Sequence, residues 1–372
     1  MGYVAVKGGN EAIEKACQLF AHERSKGASP PLGVDQIREQ LPLAVDRIMG
    51  EGSLYAPMLA ALALKQAAGD TFEAAFMLRA FRATQQRLGY APVIGTEKMR
   101  IVRRISSAFK DIPGGQILGA TSDYTLRLLD FDLLDDDETR RRAFRERLFS
   151  HLPADAEIPA TFPKVINILR REGLLEEAPH CAGRETPVFD ITRQPLTFPA
   201  VRSATLQSLA RGETGGMLTL AYSSMRGYGN IHPTLGELRV GYLPLTTHHP
   251  VNGETYVIGE VKVTEAEVLA RMQAGDGPPK FSLGYGLCFG QNEIKAISMA
   301  VLDRCTRTPH PSCPAEDQEF VLYHTEGIEA MGFCNHWKLP HYVDFLSDLD
   351  RLRKSRELAG AGNDGEDNHA TE

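Results

Sequence analysis

Phe281-Ser282-Leu283-Gly284-Tyr285-Gly286-Leu287-Cys288-Phe289-Gly290-Gln291-Asn292-Glu293 reads as a strand that runs directly into a helix. The helix that follows carries Ile294, Ile297, Val301, Leu302 and Cys305 on one face, the three- and four-residue steps of an amphipathic helix. A glycine ahead of a helix start exposes unpaired N–H groups and the positive end of the dipole, which suits phosphate oxygens. The same glycines serve equally as tight packing or turn positions. No glycine-lysine-serine/threonine follows, so this is not a Walker loop.

Working outward, the centre of the chain contains further short segments of strand-forming residues. Met217 to Tyr222 and Glu237 to Leu243 are rich in them. Glu254 to Val263 alternates, with Tyr256, Ile258 and Glu260 on one face and Val257, Gly259, Val261 and Val263 on the other. Thr264 and Glu267 form a capping box that predicts a short helix after it. Downstream, Glu319 to His324 reads as a strand, Phe333 to Lys338 as extended, and Tyr342 to Leu358 as an amphipathic helix.

The first hundred residues read as helices. Val34, Ile37, Leu41, Ala44, Val45 and Ile48 keep helical spacing, with a kink expected at Pro42. Asp70 and Glu73 resemble a capping box that opens Thr71 to Leu88, with Gly89 as its stop. Phe72, Phe76, Leu78 and Phe81 are expected in a core. If Met99 to Phe109 is helical, Arg100, Arg103 and Arg104 share a face; it fits a triphosphate, an acidic partner or plain solvent. Helices first, then mixed strands and helices, give an α+β fold. The expected organisation is a mainly helical domain over 1–130, an irregular connection over 131–202 and a mixed domain over 203–358. An acidic tail over 359–372 is expected to be disordered.

Composition narrows the class. The 372 residues are 42% hydrophobic and 24% charged, as in an ordinary globular protein. The net charge of −7, four of whose negative charges lie in the tail, argues against nucleic acid as a main partner. The run Asp-Asp-Asp-Glu and the arginines between 132 and 147 read as a solvated face. No apolar segment is long enough for a membrane helix and no secretory signal opens the chain, so a cytoplasmic location is expected. Cys17, Cys181, Cys288, Cys305, Cys313 and Cys334 are too scattered for a zinc ribbon or a local iron–sulfur motif.

Three further segments carry candidate chemistry. Lys110 to Gln116, with Gly114 and Gly115, is a turn able to expose backbone amides. Arg226-Gly227-Tyr228-Gly229-Asn230-Ile231-His232 combines a cation, an aromatic ring and an imidazole. His336-Trp337-Lys338-Leu339-Pro340-His341 sets two imidazoles five apart. They are placed either to converge on a metal across a turn or simply to pack.

Taken together, these segments resemble the PhnI subunits of bacterial carbon–phosphorus lyase. Tyr3 to Gly9, Leu43 to Met49, Ala61 to Ala67, Lys110 to Gly115, Arg226 to Gly229, Gly284 to Gly286 and Lys338 to Phe345 carry the likeness. It runs from residue 3 to about 358, weakening at about 135–185 and 243–280. The resemblance implies a nucleosidase that displaces adenine from MgATP with a phosphonate, forming ribose 1-phosphonate 5-triphosphate. It implies partners PhnG, PhnH and PhnJ in a two-of-each core, with ABC-type PhnK and PhnL docking on it. It also implies zinc held by His336 and His341. Arg226, Gly227, Gly229, Gly284, Gly286 and Gly290 are then the expected nucleotide-binding residues. The group that assists purine departure is sought among Glu237, Glu293 and His232, with Glu260 and Asp111 as further candidates. A non-catalytic scaffold within the same complex is the alternative.

Overall fold

The computed structural model describes residues 9–150, 162–176, 188–226, 232–271, 278–339 and 342–363. Seventeen α-helices and strands follow in order among them. The first are α1 (Asn10–Ser25), α2 (Val34–Gln40), α3 (Pro42–Gly52), α4 (Pro57–Gln66) and α5 (Thr71–Thr84). Next come β1 (Arg100–Ile105), α6 (Glu138–Phe149), α7 (Ile166–Arg171), α8 (Arg202–Arg211) and α9 (Thr214–Met225). Then follow β2 (Thr234–His248), β3 (Thr255–Arg271), β4 (Phe281–Phe289) and α10 (Glu293–Cys305). The last are α11 (Gln318–His324), α12 (Gly327–Trp337) and α13 (Tyr342–Asn363).

The fold is α+β, as its sequence pattern predicts. It divides into two compact units, residues 31–327 and residues 1–30 together with 328–372. The larger unit contains a four-stranded antiparallel sheet in the order β1-β2-β3-β4. One face is apolar: Leu238, Ala266, Val268 and Cys288 pack against Ala296, Met299, Ala300 and Val301 of α10, with α8, α9 and α11 around them. A second core joins α2 to α5 through Ile37, Val45, Ile48, Ala60, Leu64 and Leu78. In the smaller unit, α1 has no buried residue, and Tyr342, Val343, Phe345 and Leu346 of α13 are exposed.

Several local expectations are corrected. Arg100 to Ile105 is a strand, not a helix, so Arg103 and Arg104 point to opposite sheet faces. The register with β2 shifts between Ile101 and Arg103, which leaves Val102 unpaired as a bulge. Met217 to Tyr222 lies within α9 because the Glu213 carboxylate accepts from the Gly215 and Gly216 amides and caps a helix there. The predicted capping box at Thr264 and Glu267 is instead the middle of β3. Thr264, Ala266, Val268 and Ala270 fill one face, and Glu265 and Glu267 find cations on the other. Asp317 caps α11 where a strand is predicted, and Phe333 to Trp337 is the end of α12 rather than extended chain. Pro42 does not kink one helix; it takes the first turn of a second. Asp70 caps α5 as predicted, but the helix ends at Thr84, short of Gly89. Of its predicted core residues Leu78 is buried, whereas Phe81 is exposed.

Candidate functional site

The polar face of the sheet carries a lattice of buried charges. Antiparallel pairing sets Arg104 opposite Arg239, Arg239 opposite Glu265, and Glu267 opposite Tyr285, so all five side chains project to the same side. Arg239 forms an ion pair with Glu265, both nearly inaccessible to solvent. Lys164 donates to Glu265 at 2.8 Å and to Glu267 at 3.1 Å, and the Tyr285 hydroxyl donates to Glu265 at 3.0 Å. Thr96 adds a fourth donor to Glu265 at 2.6 Å. Burial alone would raise the Glu265 carboxyl, but Arg239 and Lys164 outweigh it and hold it below the usual range. Glu267 goes the other way: burial, aided by Glu265, outweighs Lys164 and raises it. The Tyr285 phenol is raised by burial and by Glu265.

Glu237 belongs to this lattice. Its carboxylate accepts from Arg104 Nε at 2.6 Å and from the Val165 amide at 3.0 Å, and it is 2% exposed. Arg104 Nη1 closes the loop over 113–115, meeting the Pro113 and Gly115 carbonyls at 2.6 and 3.1 Å, while Nη2 donates to the Pro163 carbonyl at 2.7 Å. That loop therefore presents carbonyls inward to a guanidinium. Glu293, in the first turn of α10, pairs with Arg103 at 3.0 Å. His232 is exposed just before β2, and Arg226 is exposed at the C-cap of α9. Gly227 and Gly229 lie outside the described residues. Of the other carboxylate candidates, Glu260 pairs with Arg100 at the surface at 2.8 Å.

The remaining predicted glycines have packing reasons. A Cβ on Gly284 would stand 2.0 Å from the Ala300 carbonyl oxygen, and one on Gly286 would stand 2.1 Å from that of Ala296. Both let α10 lie directly on β4. Gly290 has φ +73° and leaves no room beside Asp46. The amides beyond it are already used: Gln291 N–H donates to Asp46 Oδ2 at 2.9 Å and Asn292 N–H to Thr264 Oγ1 at 2.9 Å. Lys262 completes this junction, meeting Asp46 at 3.0 Å.

His336 occupies the last turn of α12, and α13 begins at Tyr342. His341 lies outside the described residues. Among the described residues no group of three or more His, Cys, Asp or Glu is assembled for a metal. Cys17, Cys288, Cys305, Cys313 and Cys334 are free thiols. No helix among the described residues is long and apolar enough to cross a membrane.

Sequence reasoning missed Arg82, the cleft it lines and the buried Lys295 behind it. This cleft, of about 400 Å³, lies beside the edge of β4 with walls from α3, α8 and α10. The signal was a lysine inside an apolar helix. The buried stripe of α10 runs through Lys295, Met299 and Leu302, while the predicted Ile294 is 56% exposed.

Comparison with known proteins agrees with the sequence resemblance. The family described as "Bacterial phosphonate metabolism protein (PhnI)" matches residues 2–359. A Stutzerimonas stutzeri protein named "Putative C-P lyase subunit protein HtxH" is 53% identical, covering 97% of this chain and 98% of its own. Two proteins named "Alpha-D-ribose 1-methylphosphonate 5-triphosphate synthase subunit PhnI" are each 45% identical. The one from Rhizobium meliloti (strain 1021) matches over 97% of both chains. The one from Escherichia coli (strain K12) matches over 97% of this chain and all of its own. With nearly every residue of the chain inside the match, it belongs to the PhnI family of bacterial phosphonate metabolism proteins.

Proposed function

We propose that this chain is the subunit at which a phosphonate oxygen displaces adenine from the ribose of MgATP, yielding ribose 1-methylphosphonate 5-triphosphate. The observation that carries the reading is the 45% identity, over 97% of the chain, to two proteins named as subunits of that synthase. Such a displacement passes through an oxocarbenium-like state at C1, as glycoside cleavage does. It needs the phosphonate and C1 held in line and the charge on the departing purine relieved. Magnesium enters with the nucleotide. The proposed partners are PhnG, PhnH and PhnJ, with PhnK and PhnL docking on that core.

The zinc proposal rests on His336 and His341. Two imidazoles match zinc's preference for nitrogen, and a pair leaves further coordination positions open. Replacing both by alanine should remove zinc from the purified complex; full occupancy would exclude them as ligands.

A second reading, a non-catalytic scaffold, is compatible with one observation. Glu237 and Glu293, the two predicted carboxylates, are both ion-paired within the chain. That fits a scaffold as well as an enzyme. Incubating the isolated chain with ATP separates the two: free adenine supports the nucleosidase, and ATP left intact supports the scaffold.

A further inference from the structure

The cleft beside β4 is lined by one cation and backed by a second, neither in an ion pair among the described residues. Arg82, on α5, lines it and is half-buried. Its guanidinium reaches only the Ser53 carbonyl, at 3.5 Å, and no carboxylate lies within ion-pair distance among the described residues. Lys295 stands behind the lining, fully buried on α10 one turn before Met299. Its Nζ has no hydrogen-bond partner among the described residues, and a Cβ on Gly50, which lines the cleft, would be 3.5 Å from it. The neighbouring charges are matched. Arg47 pairs with Glu51 and Glu213, while Arg79 and Arg211 share Glu326. Arg82 and Lys295 form no ion pair of their own among the described residues; Asp190 is the negative charge nearest in effect to Arg82, and Glu51 and Glu326 act on Lys295 while paired elsewhere.

A buried charge left unpaired costs several kcal/mol, so such groups are ordinarily matched by a counter-charge or a ligand. The walls of the cleft are apolar for the most part: Leu206, Leu287, Phe289 and Met299 contribute. Gln207 and Ser53 add a few polar atoms. An apolar cleft of about 400 Å³ beside two cations that form no ion pair suits an anion with a sizeable flat body rather than a bare phosphate.

We propose that this cleft binds the nucleoside triphosphate, its purine and ribose against the apolar wall and its phosphates toward Arg82. Lys295 adds positive charge from behind Gly50. This assignment rests on the reaction proposed above and gives its nucleotide a location. Burial lowers the Lys295 ammonium from its ordinary value, as it does the Arg82 guanidinium, and a bound polyanion would oppose both shifts.

The test is equilibrium dialysis of Mg-ATP against the full-length protein in the assembly in which it purifies, with three variants. Arg82→Gln should weaken binding roughly tenfold or more, the scale of a charge-assisted contact. Lys295→Met should weaken binding while leaving the melting temperature of the ligand-free protein unchanged or raised, because it removes an unpaired buried charge. A purely structural lysine would instead destabilise when replaced. Ala210→Phe should fill the cleft and abolish binding without loss of fold. Unaltered ATP affinity in folded Arg82→Gln and Ala210→Phe overturns the assignment. So does inorganic triphosphate competing as well as ATP, since the walls would then contribute nothing. Adenine release with unchanged KM in those variants removes this site and leaves the proposed reaction standing. A wild-type protein that binds ATP in the cleft but never releases adenine removes the reaction and leaves the site.

Discussion

Exchanging Glu237 for glutamine would leave the Arg104 guanidinium buried without its counter-charge. Both side chains are almost wholly inaccessible, so the loss should approach the 3–5 kcal/mol, roughly, typical of a broken buried pair. Chemical denaturation of Glu237→Gln measures it. A variant as stable as the wild type but inactive would mark Glu237 as a catalytic acid instead. Glu267 offers the opposite case. Its carboxyl is raised in the folded protein, so the fold binds that proton more tightly than the unfolded chain does. Its contribution is favourable below the ordinary carboxylate range and becomes a cost as pH rises through the folded value. Glu267→Gln should therefore raise the melting temperature at neutral pH, and the gain should vanish in acid. A gain that grew on acidification would contradict this sign. Lys164 retains Glu265 as its partner in this variant.

At the scale of elements, the glycines of β4 are best tested through packing. Gly286→Ala places a methyl 2.1 Å from the Ala296 carbonyl oxygen, so α10 must shift. Thermal unfolding should show a loss of about 1–3 kcal/mol, the usual cost of overpacking. An unchanged melting temperature would show that the strand and helix are not so closely apposed. This region also shows what the sequence can reveal. The step from β4 into α10 was legible because a strand-rich segment, a glycine and a helical period follow one another without interruption. The length of β3 was not. Thr264 and Glu267 satisfy a helix-start rule, yet Arg239 and Lys164, distant in sequence, hold Glu265 and Glu267 on a strand face. The α9 segment was misread for a related reason, since its Leu, Thr and Tyr content suits a strand while the Glu213 cap decides the outcome. The candidate site was legible by resemblance more than by physics. A buried lysine or an unmatched arginine shows itself only when the surrounding carboxylates have been placed.

The whole molecule leaves much apolar surface uncovered. Leu126, Leu129 and Phe131, in the segment between β1 and α6, are 87%, 83% and 70% exposed. Exposed large apolar side chains close together in sequence are candidates for a partner contact, and this segment is proposed as one. Replacing the three by serine should leave the chain's own melting temperature unchanged and reduce the partner chains that co-purify with it. Undiminished co-purification would place the assembly contact elsewhere. In the proposed reaction, bond cleavage falls between ribose and purine while the three phosphates stay joined. Its most direct measurement is product analysis of the assembled complex given MgATP and methylphosphonate, with chromatography of bases and phosphorus NMR of the sugar product. Equal amounts of free adenine and a ribose carrying both a 1-phosphonate and a 5-triphosphate are predicted. ADP and inorganic phosphate as the only products, with no adenine, would contradict it.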